Sequence, residues 1–188
     1  MTRSIGMSRL APVIAMLTWL AACAGPSDGV FEASHYIASP AAYVFGRHAT
    51  PNVATYVNGN PFGLSQESLA KTVAAAMDAA VASRDVHFVV NRGETVRTNM
   101  LVVVAFDPGI NIGPGRLCAS PSAVASVPSS DQVDIVMAFC LGDRTASGVR
   151  GRLRRPVAAS DRVFVSTIAR MTEALFGTGA EKRSYRSF

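Results

Sequence analysis

Two stretches of the chain place apolar residues at the spacing of an α-helix. Ser65 can cap the free N–H groups at the start of the first helix, and Glu67 lies where the helix dipole favours a negative charge. We expect this helix to run to about Ser83, and a second to start near Ser160 and end at Gly177. The apolar positions are Leu69, Val73, Ala76, Met77, Ala80 and Val81 in the first helix, and Phe164, Ile168, Met171 and Leu175 in the second.

Four segments between these helices have the pattern of β-strands. Turn-forming residues at 92–95 follow the first of them, so we expect the first two strands to form a hairpin. The stretch 107–131 is expected to be an irregular loop. Its glycines are not followed by Lys-Ser/Thr, as a phosphate-binding loop requires. The strand ranges are 86–91, 99–106, 132–140 and 146–154.

This order of elements predicts an α+β fold. We expect a mostly antiparallel sheet of four to five strands, with two amphipathic helices on one face and the other face relatively open. The segment 30–56 carries too many aromatic residues for a purely flexible linker, so it either lies along the domain or waits for a partner.

The N-terminal residues have the parts of a secretory signal peptide. Arg3 and Arg9 give a positive start, and an apolar run follows at 10–20. That run is too short to span a bilayer, which needs about 20 apolar residues. Small residues and a cysteine come next, and the sequence Leu20-Ala21-Ala22-Cys23 resembles the lipobox of bacterial lipoproteins.

This resemblance implies that Cys23 becomes the first mature residue and carries a covalent lipid. The chain as a whole resembles the small lipoproteins of Gram-negative bacteria, a class that implies a location rather than an activity. Since Ala24 rather than Asp follows the cysteine, the resemblance implies the outer membrane, with the domain facing the periplasm. Two alternatives remain open: cleavage after Ala24, which would release a soluble protein starting at Gly25, and an uncleaved membrane anchor.

Removal of residues 1–22 changes the composition. The whole chain has a net charge of +5. Without Arg3 and Arg9 the mature chain carries 16 − 13 = +3, which is only mildly basic. Its 188 − 22 = 166 residues suit one domain. We expect a lipidated cysteine and tether over 23–50, one α+β domain over 51–177 and a basic flexible tail over 178–188.

The remaining cysteines are Cys118 and Cys140. An exported chain favours a disulfide between them, which would close a loop of about 20 residues and stabilise the fold by about 3 kcal/mol. The alternatives are two unpaired buried thiols or, less favoured, a metal site, although neither cysteine has a CxxC partner or a nearby histidine.

The sequence contains no motif of a known catalytic site, so we expect a protein that is not an enzyme and has no cofactor beyond the lipid on Cys23. The three histidines are scattered. Asp107 and Asp143 each follow an apolar strand and could meet as an acid pair, although strands commonly end in such turn residues.

Arginines concentrate in the last predicted strand, where alternation puts Arg150, Arg152 and Arg154 on one face. Such a row can bind anionic lipid or lipopolysaccharide groups through bidentate hydrogen bonds, or it can simply keep an edge strand soluble. An exported protein meets no genome, so no nucleic acid is expected. We expect the membrane and another envelope protein as partners, and the pattern leaves the oligomeric state open.

Overall fold

A computed structural model describes residues 29–36, 39–46, 52–84, 86–91, 99–129, 131–154 and 158–178. Within these ranges the chain forms six strands and four α-helices. The strands are β1 (Gly29–His35), β2 (Asn52–Asn58), β3 (His87–Val90), β4 (Met100–Phe106), β5 (Gln132–Leu141) and β6 (Arg144–Arg154). The helices are α1 (Pro40–Phe45), α2 (Gln66–Ala80), α3 (Pro114–Ala119) and α4 (Arg162–Phe176).

The strands form one mixed sheet in the order β1-β6-β5-β4-β2-β3. The fold is α+β, as predicted. The sheet differs from the prediction in two respects, because it has six strands rather than four or five and because β2 runs parallel to both of its neighbours, β3 and β4. The other three pairings are antiparallel.

The hairpin predicted between β3 and β4 is wrong. Both strands are parallel to β2, which lies between them, so β3 and β4 run in the same direction and are not neighbours. The pattern of 52–58 did not suggest a strand, and without β2 the pairing of two consecutive strands was the natural inference. The turn-forming residues 92–95 lie outside the described residues.

The two predicted helices, α2 and α4, pack together on one face of the sheet over the larger hydrophobic core. The Ser65 hydroxyl accepts a hydrogen bond from the N–H of Ser68 and caps α2. Asp161 caps α4 in the same way, and Gly177 ends it in a left-handed conformation that suits glycine. Two phenylalanines of α4 contact rings from several elements in this core. The ring pairs are Phe164 with Phe62 and Phe106, and Phe176 with Phe45, Phe88 and Phe139.

The opposite face is partly covered by α3, which lies in the stretch 107–131 that was expected to be an irregular loop. That expectation is wrong because α3 has only six residues and starts with Pro114-Gly115, too short and too unusual for helical periodicity to be visible. Proline fits the first turn of a helix, where its missing N–H costs nothing. Beneath α3 lies a second apolar cluster that contains Leu117, Cys118, Val124 and buried residues of β4 and β5.

The fold also begins earlier in the chain than residue 51, where we expected the domain to start. β1 pairs along its whole length with β6, and α1 contributes Val44 to the larger core. As a consequence β6 lies between β1 and β5 and is not the edge strand that the arginine alternation suggested.

Candidate functional site

The predicted disulfide is present between Cys118 of α3 and Cys140 of β5. The two residues are 22 apart in sequence, and their Cα atoms are 5.5 Å apart. Both belong to the second apolar cluster, which is smaller than the first. The disulfide therefore supplies a covalent link between α3 and the sheet in addition to the contacts of that small cluster. The pair therefore supports the fold. Neither thiol is available as a nucleophile.

A glycine of β6 allows α3 to lie close to the sheet. A Cβ atom added at Gly148 would lie 2.3 Å from Cγ of Pro114, far inside normal contact distance. The backbone of Gly148 is not in the left-handed region, so the requirement is space and not conformation. The sequence pattern gave no sign of this contact, which joins residues far apart in the chain.

The three arginines of β6 lie on the face that carries α3, but they have different surroundings. Arg150 is half-buried, and its guanidinium donates a hydrogen bond to the carbonyl of Ile112. Arg152 pairs with Asp134 on β5 at 2.7 Å, and this hydrogen bond, together with the charge of Asp134, raises the pKa of Arg152. Arg154 is exposed at the end of the strand. Two of the three therefore contact groups of the protein itself, which leaves Arg154 as the most accessible cation of the row.

The two aspartates considered as an acid pair lie at opposite ends of the sheet. Asp107 follows β4 beside Asp134, whose N–H donates to its carboxylate at 2.9 Å. Asp143 lies in the turn after β5, at the end where β4 begins. The length of the β4–β5 ladder separates them, so they cannot act on one substrate.

Asp107 instead organises the turn after β4. It is buried and has a φ of 49°, a left-handed conformation that aspartate tolerates better than most residues. Its backbone N–H donates to the carbonyl of Asp134, and its own carbonyl accepts from Val127. The residue therefore holds the chain between β4 and β5, which gives this carboxylate a structural role.

The two edges of the sheet are different. At β3 the N–H of Phe88 donates to the Asp78 carboxylate of α2 at 2.7 Å. One backbone N–H of this edge strand is therefore already hydrogen-bonded to a helix side chain. Just after β1, the Tyr36 N–H donates to the Ala146 carbonyl, in the same register as the β1–β6 pairs. The backbone N–H and C=O of Tyr36 therefore point toward β6. Since inward and outward groups alternate, the N–H and C=O of Ala33 point away from β6. Among the described residues, β6 is the only strand that pairs with β1.

Three of the six exposed large apolar side chains described lie at one end of the sheet; the other three are Tyr36, Tyr43 and Val89. We call this the Gly29 end, since β1 begins there and β2 and β4 end there. Ile110 is 87% exposed and Val127 is 64% exposed, the two highest values among the large apolar residues described. Both flank the turn at Asp107, and Leu64, also exposed, follows β2 at the same end.

Cys23 lies outside the described residues, so its lipidation stays a prediction. Within the described ranges, no helix is long and apolar enough to cross a bilayer. The same ranges contain no group of three or more histidine, cysteine or acidic residues arranged to hold a metal ion.

The sequence matches neither a protein-family model nor a curated protein. Among solved structures, two of those it resembles are PelC dodecamers from Paraburkholderia phytofirmans. One is a single-substitution variant, with 11% identity and a TM-score of 0.45, and the other has 12% identity and a TM-score of 0.47. Each comparison covers 79% of this chain and 97% of the other. With identities this low and TM-scores below 0.5, we draw nothing about the activity of this protein from the likeness.

Proposed function

We propose that this protein is a lipid-anchored component of the Gram-negative cell envelope that binds another envelope protein and has no catalytic role. The lipid on Cys23 holds it to the outer membrane, and the domain faces the periplasm. The lipobox-like sequence supports the anchor, and a disulfide between Cys118 and Cys140 fits an exported protein.

The open outer edge of β1 is the observation that carries the binding proposal. An unpaired edge strand presents a row of N–H and C=O groups that another extended segment can pair with. Proteins usually protect such edges with lysine, proline, bulges or a covering element. β1 spans seven residues, contains neither lysine nor proline and carries a single charged residue, Glu32, apart from a terminal histidine.

The contrast with β3 strengthens this interpretation. β3 has only four residues, and Asp78 occupies one of its backbone donors. One edge of the same sheet is therefore short and partly blocked, while the other is longer, is paired on its outer side with no described strand, and has exposed side chains at Glu32, Ala33 and Ser34. We infer that the partner contributes an extended segment that continues the sheet beside β1. Main-chain hydrogen bonds would supply affinity, and neighbouring side chains such as Ala33 and Ser34 would limit the size of residues opposite them.

The anchor is tested by Cys23→Ser. Cells that express the unchanged protein should incorporate radiolabelled palmitate into it, and the protein should float with membranes in a density gradient. The variant should accumulate as precursor or soluble protein without label. Continued labelling and flotation of the variant would refute the anchor.

The binding edge is tested by in-cell photocrosslinking from a benzoylphenylalanine residue at position 34. We expect one discrete adduct, with the partner identified by mass spectrometry. Ala33→Pro should abolish the adduct, because proline removes an outward N–H while the hydrogen bonds to β6 remain. Ala33→Val is the matched control, since valine keeps that N–H and suits a strand.

A crosslinker placed at Val89 on the blocked edge should give no corresponding adduct. The binding proposal would be wrong if the adduct persisted in the proline variant at the level of the valine variant. A circular dichroism spectrum of each variant checks that the fold is intact, so that a lost adduct reports the edge and not unfolding.

A further inference from the structure

The position at which the anchored segment enters the domain restricts how the domain can lie against a membrane. Cys23 and Gly29 are 29 − 23 = 6 residues apart, and six residues span at most about 20 Å even when fully extended. With lipid on Cys23, the Gly29 end of the sheet therefore stays within about 20 Å of the bilayer surface. The opposite end of β1 is about 20 Å from Gly29 along the strand, because six residue steps separate Gly29 from His35.

The most exposed apolar residues lie at the end that is held near the membrane. Ile110 follows β4, which is three strands from β1 and so about 14 Å away across the sheet. Val127 is joined to the same turn by the hydrogen bond from its N–H to the Asp107 carbonyl. Both side chains are thus held by an ordered turn at the same end of the sheet that the anchored segment enters.

Charges at the Gly29 end are compatible with a phospholipid surface. Arg154 is exposed there, where it can lie near anionic head groups. Asp134 is at the same end, but Arg152 offsets its charge through their ion pair. Asp131 is a further acidic residue beside these strands, and it has an interaction within the protein. Asp107, at the end of β4, is buried and accepts a hydrogen bond from the Asp134 N–H. Among the described residues at these strand ends, Asp134 and Asp107 are thus engaged within the protein, whereas Asp28 of the anchored segment adds one negative charge next to Gly29.

From these observations we propose that the Gly29 end of the sheet is a membrane-docking surface. Ile110 and Val127 insert into the interfacial layer of the leaflet that holds the lipid of Cys23, and Arg154 lies against its head groups. This inference rests on the proposed lipid anchor and adds an orientation to it. The lipid on a lipobox cysteine carries more than one acyl chain and holds a protein to the membrane stably, so apolar residues beside it serve to fix the domain's orientation. The open edge of β1 then stands roughly perpendicular to the membrane and remains free for a protein partner.

The test uses the full mature, lipidated protein in vesicles of phosphatidylethanolamine and phosphatidylglycerol. Single variants Ile110→Cys and Tyr36→Cys are labelled with the environment-sensitive dye nitrobenzoxadiazole. Tyr36 is the matched control, because it is 60% exposed but follows β1 at the opposite end of the sheet. We expect the dye at position 110 to shift to shorter emission wavelengths and to be quenched by doxyl-labelled lipid. The dye at position 36 should remain in an aqueous environment.

Flotation of the same samples separates the two proposals. If the protein floats but the dye at position 110 is as aqueous as the dye at position 36, the docking surface is refuted and the anchor stands. If the protein does not float, the anchor fails and the docking proposal fails with it. Protection of position 110 that required an added protein and not lipid would also overturn docking to a membrane.

A second measurement removes the acyl chains. In unlipidated Cys23→Ser protein that lacks residues 1–22, the double change Ile110→Ser and Val127→Ser should lower the vesicle partition coefficient about tenfold, or about 1.4 kcal/mol. Tyr36→Ser should leave it unchanged. An equal decrease in both would show that exposed apolar residues act without regard to position, which contradicts the proposed orientation.

Discussion

Removal of the disulfide should destabilise the protein by an amount that follows from the loop it closes. Cys118 and Cys140 are 22 residues apart, and the chain-entropy relation gives about 3 kcal/mol at 25 °C for a loop of that length. Both residues are buried, so the double variant Cys118→Ala, Cys140→Ala also loses two sulfur atoms from the second apolar cluster. This loss of buried contacts also lowers the free energy of unfolding. The unfolding temperature should fall by about 10 °C for a domain of this size.

Urea unfolding followed by circular dichroism measures the free energy of unfolding of both proteins, with and without dithiothreitol. The reductant should destabilise the unchanged protein to nearly the level of the variant and leave the variant unaffected, which is the internal control. Equal unfolding free energies for the two oxidised proteins would refute the reasoning. So would two freely alkylated thiols in native protein isolated from cells.

Five further substitutions, one alone and two in matched pairs, test individual residues. Gly148→Ala should destabilise the protein by about 1–3 kcal/mol in urea unfolding, because the added Cβ meets the proline ring that starts α3. An unchanged midpoint would contradict that contact. Thr55→Val should stabilise by about 1 kcal/mol, since the buried hydroxyl has no hydrogen-bond partner among the described residues. Thr172→Val, which loses a hydroxyl bonded to a helix carbonyl, should destabilise instead, and the same sign for both would refute the distinction. Arg154→Gln should weaken binding of the Cys23→Ser protein to anionic vesicles about fivefold at low salt and leave the unfolding midpoint unchanged, whereas Arg150→Gln should lower that midpoint. Salt-independent vesicle binding would argue against the role of Arg154.

The elements that the sequence predicted correctly are those whose side chains face one buried surface. α2 and α4 each cover the core with one stripe and have clear capping residues, so periodicity and caps gave their positions to within a few residues. β4 and β5 were visible as apolar runs because both of their faces are covered. The disulfide followed from the number of cysteines and the expected compartment.

The missed elements lack such a signal. β2 is largely buried, but its sequence mixes apolar residues with small or polar ones such as Ala54 and Thr55. Its sequence therefore shows neither apolar–polar alternation nor a long apolar run. Its absence from the prediction caused the wrong β3–β4 pairing. The position of β1 beside β6 is a long-range contact, which no local pattern encodes. The different roles of the three β6 arginines depend on Ile112 and Asp134, which come from other parts of the chain.

The hydrogen bond from Phe88 to Asp78 also limits self-association. Two copies that met through β1 would pair the same strand on each side and form a closed, twofold arrangement of twelve strands in total. Continued growth would require a contact between β1 of one copy and β3 of the next, repeated without end. Because one backbone donor of β3 is already occupied, that head-to-tail contact is disfavoured at every step. A single carboxylate of α2 thus acts against open-ended, head-to-tail growth of the sheet from one copy to the next.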